Sequence, residues 1–218
     1  VSVDVIIPYA GEDEHRARAL WWVCPRYEWP VIVGNNSGPW CKAKAVADGL
    51  RHSDADILVV ADADVWATDV VKAVEAVERG AAWAVPHRQV RRLSEISTAA
   101  VLAGEPPNEE MSLARGTYTG VIGGGVVVLT RELYDEVPID PRFIGWGGED
   151  YAWGFALTTI AGPPARATGP LWHLWHPAQP RDKKIRVGGN RPNETLRRRY
   201  RDSRREISLM RKLIAEAR

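Results

Sequence analysis

Apolar and polar positions along the first 87 residues fall into a repeating order. Val3–Pro8 (VDVIIP) is a short, β-branched apolar run ended by proline, the pattern of a buried strand. Residues 12–22 then read as a helix. Val31–Gly34 reads as a second strand, followed by the turn-rich Asn35-Asn36-Ser37-Gly38-Pro39 and a helix over Lys42–Leu50. Ile57–Ala61 (ILVVA) is a third buried strand that runs straight into Asp62-Ala63-Asp64. Thr68 is placed to cap a helix with Val70, Val71, Val74 and Val77 on one side, and Gly80 ends it. Residues 81–85 return as a strand. Strands alternating with helices at this spacing predict an α/β fold, a mostly parallel sheet flanked by helices. Ligands of such sheets bind beyond the carboxyl ends of the strands, which puts Tyr9, Asn35, Asp62 and Asp64 on one rim.

The second half follows a different pattern. Residues 88–115 carry no clear period and include Gly104-Glu105-Pro106-Pro107-Asn108, so they read as a long loop and a candidate flap. Residues 121–129 read as a strand, 131–137 and 149–160 as helices. A strand over 165–171 leads into Trp172-His173-Leu174-Trp175-His176-Pro177. Asn193 is placed to cap a long terminal helix with Leu196, Tyr200, Ile207, Met210 and Ile214 on one stripe.

Composition changes this picture little. Hydrophobic residues make up 45% and charged residues 26% of 218, ordinary for a chain that buries a core. A net charge of +1 argues against a general polyanion binder. Cys24 and Cys41 are the only cysteines, too few for a disulfide framework. No apolar stretch is long enough to span a membrane, and the acidic turn after the first strand is unlike a signal peptide. A cytoplasmic protein is expected, and the arginine- and alanine-rich, lysine-poor composition is associated with bacterial or phage sources. Ten tryptophans against two phenylalanines offer flat apolar faces for sugar stacking, although most tryptophans fill cores.

Three constellations carry candidate chemistry. Asp62 and Asp64, two apart on an extended chain, would point to one side and share a hard cation such as Mg²⁺ or Mn²⁺. An acidic turn after a strand gives the same tripeptide. His173 and His176 lie three apart in a chain with five histidines, and imidazole suits Mn²⁺ better than Mg²⁺. Trp146-Gly147-Gly148-Glu149-Asp150 places two glycines, which let backbone approach a ligand, before an acidic pair at a helix start. A carboxylate there can cap the helix and also take a proton from a hydroxyl.

The succession VDVIIPY, ILVVADADV, GGGVVVLTRELY and GWGGEDYAWGFAL resembles the GT-A glycosyltransferases, over residues 1–176, about four-fifths of the chain. It is most similar to the branch containing the β-1,4-galactosyltransferases and the polypeptide N-acetylgalactosaminyltransferases. The resemblance implies a nucleotide-sugar donor, favouring a UDP-sugar, a divalent metal, and a hydroxyl acceptor on a protein or glycan. It implies that Asp64 and His176 bind the metal, with His173 standing where galactosyltransferases use methionine. Asp62 would lie near the ribose or the metal's waters, Asp150 would be the catalytic base of an inverting reaction, and Glu149 would orient the acceptor. Pro8 and Tyr9 would cradle the nucleoside, and Asn35 stands in place of an aspartate that reads uracil. Of Lys42 and Lys44, one at least solvates its helix, and Lys44 is kept as a nucleotide contact. Gly124, Trp146, Gly147 and Gly148 would shape the acceptor pocket. Tyr151 replaces a second acid of the galactosyltransferases. Residues 1–180 then form the transferase domain, with 1–87 as the nucleotide-sugar half and 116–180 as the acceptor half, and 181–218 form a basic loop and helix.

Two other classes compete. A nucleotidyltransferase would carry a glycine- and lysine-rich phosphate loop after the first strand, where this chain has the acidic Tyr9-Ala10-Gly11-Glu12-Asp13. A binding protein, for sugar or nucleic acid, is suggested by Arg197-Arg198-Arg199-Tyr200-Arg201, but Glu194, Asp202, Glu206 and Glu216 interleave with the arginines. That pattern suits a solvated helix or a homo-oligomer contact better.

Overall fold

The structure, a computed structural model, describes residues 1–11, 13–178, 182, 184, 185 and 189–218. Its elements run β1 (Val3–Pro8), α1 (Glu14–Val23), β2 (Val31–Gly34), α2 (Lys42–Leu50), β3 (Ile57–Ala61), β4 (Val65–Ala67), α3 (Val70–Glu78) and β5 (Trp83–Val85). They continue with β6 (Gln89–Arg92), α4 (Glu95–Leu102), β7 (Tyr118–Thr119), β8 (Val126–Thr130), α5 (Arg131–Glu136), α6 (Glu149–Ala161), β9 (Ala165–Arg166), β10 (Pro170–His173), α7 (Arg191–Ser203) and α8 (Ile207–Ala215).

The expected α/β architecture is present. A six-stranded sheet has the order β2-β1-β3-β8-β5-β9, in which β1, β2 and β3 are parallel and β8 runs antiparallel between β3 and β5. Side chains alternate across it. Val5, Ile7, Val59, Ala61 and Val128 enter the core under α1 and α3, whereas Ile6, Leu58, Val60 and Leu129 enter the core shared with α2, α6 and the terminal helices. Burial on both faces is why these strands read as nearly continuous apolar runs.

A second sheet, β4-β10-β6-β7, stands at the carboxyl end of the first. Its β4 follows directly on Asp62-Ala63-Asp64, and β10 pairs with it antiparallel so that His173 faces Val65. Residues 88–115, expected as a loop, instead supply β6 and α4, whose first turn is capped by Ser94. Their apolar residues, Val90, Leu93 and Val101, are buried but too widely spaced to show a period. The strand expected over 121–129 begins only at Val126, because residues 121–125 turn past α6. Asp69, and not Thr68, occupies the N-cap position of α3.

The terminal segment breaks into two helices. Asn190, not Asn193, caps α7, its side chain accepting from the Asn193 N–H, while part of the preceding basic loop, like Glu12 ahead of α1, lies outside the described residues. Leu196, Tyr200, Met210 and Ile214 are buried against the second core, and Ile207 is exposed. The apolar stripe of the tail is therefore covered by the chain's own domain. The arginine run is neutralised locally: Arg197 and Arg198 pair with Glu194, and Arg199 with Glu216. Among the described residues no helix is long and apolar enough to cross a membrane.

Candidate active site

One cavity of about 450 Å³ opens where the two sheets meet, within the range of roughly 300–1,000 Å³ usual for small-molecule sites. It lies at the carboxyl ends of β1 and β3. Two clusters of ionisable groups face each other in it.

The first is Asp64, His173 and His176, whose ligand-capable atoms all lie within 4.8 Å of one another. The Leu174 N–H donates to the Asp64 carbonyl at 2.9 Å, which ties the turn before β4 to the end of β10. His173 Nδ1 lies 2.7 Å from the Leu174 carbonyl, and His176 Nδ1 lies 2.7 Å from the Pro177 carbonyl. A carbonyl only accepts, so each Nδ1 carries the proton and each Nε2 presents a lone pair. Those lone pairs converge on the Asp64 carboxylate, with His176 Nε2 at 3.2 Å and His173 Nε2 at 3.9 Å. Burial lowers both histidines, His173 to about 4, so they stay neutral. Burial by itself would raise Asp64, but His173, Arg16 and His176 outweigh it and hold the carboxyl at about 2. Neutral imidazoles fixed by carbonyls, beside an ionised carboxylate, are the donor set of a transition-metal site.

Arg16, from α1, was not anticipated. Its Nε donates to Asp64 Oδ2 at 3.1 Å, its Nη2 lies 3.3 Å from His176 Nε2, and its guanidinium sits 4.1 Å from the centre of the Trp146 ring. Nothing in the local sequence marks it, because arginine three residues into a helix is ordinary.

The second cluster is built around Lys42. Its ammonium reaches Asp62 at 2.7 Å and Asp150 at 2.8 Å and is itself buried. Asp62 Oδ2 also accepts from the Gly125 N–H at 3.2 Å. The two aspartates of the motif are thus separated: a turn after β3 sends Asp64 to the histidines and Asp62 to the lysine. The shared cation expected from extended geometry is corrected accordingly. Burial makes ionised Lys42 costly, but Asp150, Asp62 and Glu149 more than offset this and raise its pKa. Burial raises Asp150 despite the pull of Lys42. Glu149, in the first turn of α6, is pushed up to about 8 by burial and by the neighbouring Asp150 charge, and its Oε2 has no hydrogen-bond partner among the described residues.

Backbone placement explains the glycines. Gly148 caps α6 at φ +97°, where a side chain would be strained. A Cβ on Gly124 would come within 2.7 Å of Asp150 Oδ2, so glycine there lets the strand-side backbone touch the acid. Trp146 stacks on Trp40 at 5.7 Å, and both line the cavity. Trp22, Trp83, Trp153 and Trp172 are buried in the two cores.

Of the residues expected from sequence, Pro8, Tyr9, Asp62, Asp64, Gly124, Trp146, Gly147, Gly148, Glu149, Asp150, His173 and His176 line this cavity. Asn35 and Lys44 do not. Asn35 is exposed, its N–H donating to Asp48 and its Oδ1 accepting from Asn36. Lys44 is on the exposed face of α2, and the lysine that enters the site is Lys42, two residues earlier and on the opposite side of the helix. Sequence reasoning also passed over Arg16, Trp40 and the fully buried His87.

No protein-family model matches the chain, and no curated protein sequence does. Solved structures do. A glucosyl-3-phosphoglycerate synthase from Mycobacterium tuberculosis, in complex with Mg²⁺ and UDP, superposes with a TM-score of 0.55 at 16% identity, covering 94% of this chain and 80% of that one. The same enzyme with Mn²⁺, UDP-glucose and phosphoglyceric acid gives 0.55 at 16% identity, over 94% and 80% of the two chains. Its structure without a named ligand gives 0.54 at 16%, over 94% and 81%. At this identity the likeness shows the fold, which is that of the GT-A glycosyltransferases.

Proposed function

We propose that the chain is a divalent-metal-dependent glycosyltransferase that moves a sugar from a nucleotide-sugar donor, a UDP-sugar, to a hydroxyl acceptor. The observation that carries this is the placing of the Asp64–His173–His176 set and the Asp150–Glu149 pair in one cavity, at the strand ends where such folds bind nucleotides. The superposable mycobacterial enzyme, with Mn²⁺, UDP-glucose and phosphoglyceric acid, supports it.

Asp64, His173 and His176 would hold the cation, which supplies Lewis-acid neutralisation of charge on a departing diphosphate. Pro8 and Tyr9, at the end of β1, face the same space and suit the nucleoside. Asp150 takes the acceptor's proton. Burial brings its carboxyl nearer neutrality, which improves a base, while Lys42 holds it ionised and fixes its direction. Glu149, which burial and the neighbouring Asp150 charge push toward the protonated form, then has a hydroxyl to donate to the acceptor and so orients it. Trp40 and Trp146 wall the cavity and limit water at the anomeric carbon. The acceptor hydroxyl is assigned to a protein or glycan, and the chain to the galactosyltransferase and polypeptide N-acetylgalactosaminyltransferase branch, on the Trp146–Asp150 element with Asp62 and Asp64 upstream.

Calorimetric titration with UDP and with GDP, in Mn²⁺ and in chelator, tests the donor site. The expected result is Mn²⁺-dependent binding of UDP that is lost in Asp64→Ala. Binding of neither nucleotide under any metal condition overturns the assignment.

A further inference from the structure

Within the metal-competent cluster a cation is already engaged. Arg16 donates to Asp64 Oδ2, one of the acceptors a divalent ion would need, and its Nη2 lies over the His176 ring, 3.3 Å from Nε2 and 3.5 Å from Nδ1. The overlap is close, because Asp64 Oδ2 and His176 Nε2 are 3.2 Å apart and the guanidinium touches both. Arg16 is buried, and it is the nearest positive group to a carboxylate that is 9% exposed. A divalent ion on Asp64 and His176 would sit against this guanidinium, and repulsion between two cations at such range in a buried site is strong. The other face of the guanidinium rests on Trp146, in the loop that leads to Glu149 and Asp150.

Charge balance indicates where Arg16 would go. Asp64 is the one carboxylate of the cluster, and each imidazole commits its Nδ1 proton to a carbonyl and leaves Nε2 as an acceptor, so one guanidinium balances it. A divalent ion on the same ligands leaves positive charge in excess, and Arg16 then requires a new anion. A nucleoside diphosphate brings one into the cavity that Arg16 itself lines.

We propose that Arg16 is an internal competitor of the divalent cation, holding Asp64 and His176 until the donor's diphosphate draws the guanidinium away. Metal and nucleotide therefore bind cooperatively, and the coupling is reciprocal. Arg16 is a positioning residue at this stage and a diphosphate contact once displaced. The inference rests on the donor-site reading for its second half only, since competition for Asp64 and His176 concerns the metal alone.

The test is titration of Mn²⁺ into the full chain, by calorimetry or by the electron paramagnetic resonance of free Mn²⁺, with and without UDP. Arg16→Gln is expected to bind Mn²⁺ alone at least about tenfold tighter than the native protein, a fold-change readily resolved. The rise in Mn²⁺ affinity on adding UDP should shrink in the variant. Equal or weaker Mn²⁺ binding by Arg16→Gln without nucleotide overturns the proposal, as does absence of Mn²⁺ binding by both proteins. Arg16→Lys, which keeps the charge but loses the fork that spans Asp64 and His176, provides a second reading should the glutamine variant not fold. It should bind Mn²⁺ tighter than the native protein, and affinity at or below the native value again overturns the proposal. Native protein that binds Mn²⁺ but never UDP would instead remove the donor reading, while the Mn²⁺-only arm still decides the competition.

Discussion

The two sides of the cavity each set one buried cation among several acceptors, yet the acceptors differ. Around Lys42 they are carboxylates: Asp62 and Asp150 in direct contact, with Glu149 close by. Around Arg16 they are one carboxylate and two neutral imidazoles whose Nδ1 protons are already committed to carbonyls. Carboxylates crowded together need a permanent cation. Imidazole lone pairs do not, and a monovalent guanidinium there satisfies only part of what the ligands offer. The lysine side is therefore a fixed piece of architecture and the arginine side an exchangeable one.

That contrast can be broken by substitution, and the largest effect should fall on the reaction itself. Asp150→Asn keeps the shape and the Lys42 contact but removes the proposed base, so turnover should drop by about 10²–10⁴ with UDP affinity changed little. Steady-state rates beside calorimetry separate the two. Comparable loss of UDP binding would mean that Asp150 belongs to the donor site.

Lys42→Met should cost about 3–5 kcal/mol, toward the lower end because Asp62 and Asp150 are 30% and 32% exposed and water relieves part of the repulsion. Chemical denaturation measures it. Mn²⁺ should not restore that loss, whereas it should restore whatever Arg16→Gln loses. Recovery of both by Mn²⁺, or of neither, would erase the distinction between the two sides.

His87 offers a pH handle outside either cluster. It is fully buried, neither ring nitrogen has a partner among the described residues, and burial with the Arg166 charge lowers it to about 4. As pH falls below about 6.5, the unfolded chain takes up this proton first, so native stability should decline from there through pH 4 by up to about 3 kcal/mol. His87→Gln should flatten that slope relative to the native protein in denaturation series across pH. An unchanged slope would place the acid sensitivity elsewhere.

The smallest effect concerns the tail. Asn193 donates to the Ile144 and Gly147 carbonyls at 3.1 and 3.0 Å and accepts from the Ile144 N–H at 3.3 Å, which clamps the loop carrying Trp146 onto α7. Asn193→Ala should cost about 1–3 kcal/mol by leaving those groups unpaired, and should raise the acceptor KM more than the Kd for UDP. Equal effects on both would show that the tail supports the whole cavity and not the acid side alone.

What the sequence by itself determined is local. Apolar runs rich in β-branched residues at Val5–Ile7 and Ile57–Ala61 announce strands buried on both faces, because a strand covered by helices has no solvent side on which to place polar residues. Glycines before Glu149 and Asp150 announce a helix start. Acids directly after β3, and histidines at and just beyond the end of β10, lie at positions where such strands end, so most of the expected residues could be placed at the cavity from sequence as well. Residues 88–115 were not, since β6 and α4 bury too few side chains at regular spacing to leave a period.

Only the tertiary structure decided which side chains meet. Asp62 and Asp64 are two residues apart and belong to opposite sides of the cavity. Lys42 reaches across 108 positions to Asp150, and Arg16 across 160 to His176. Lys42 and Lys44 are chemically alike, and only the packing of α2 against β1 and β2 turns one inward and the other to solvent. Periodicity and capping are short-range, so they appear in the order of residues. Pairing of charges depends on where the crossover of β8 and the return of β10 bring distant segments together, and that is fixed by burying two cores at once.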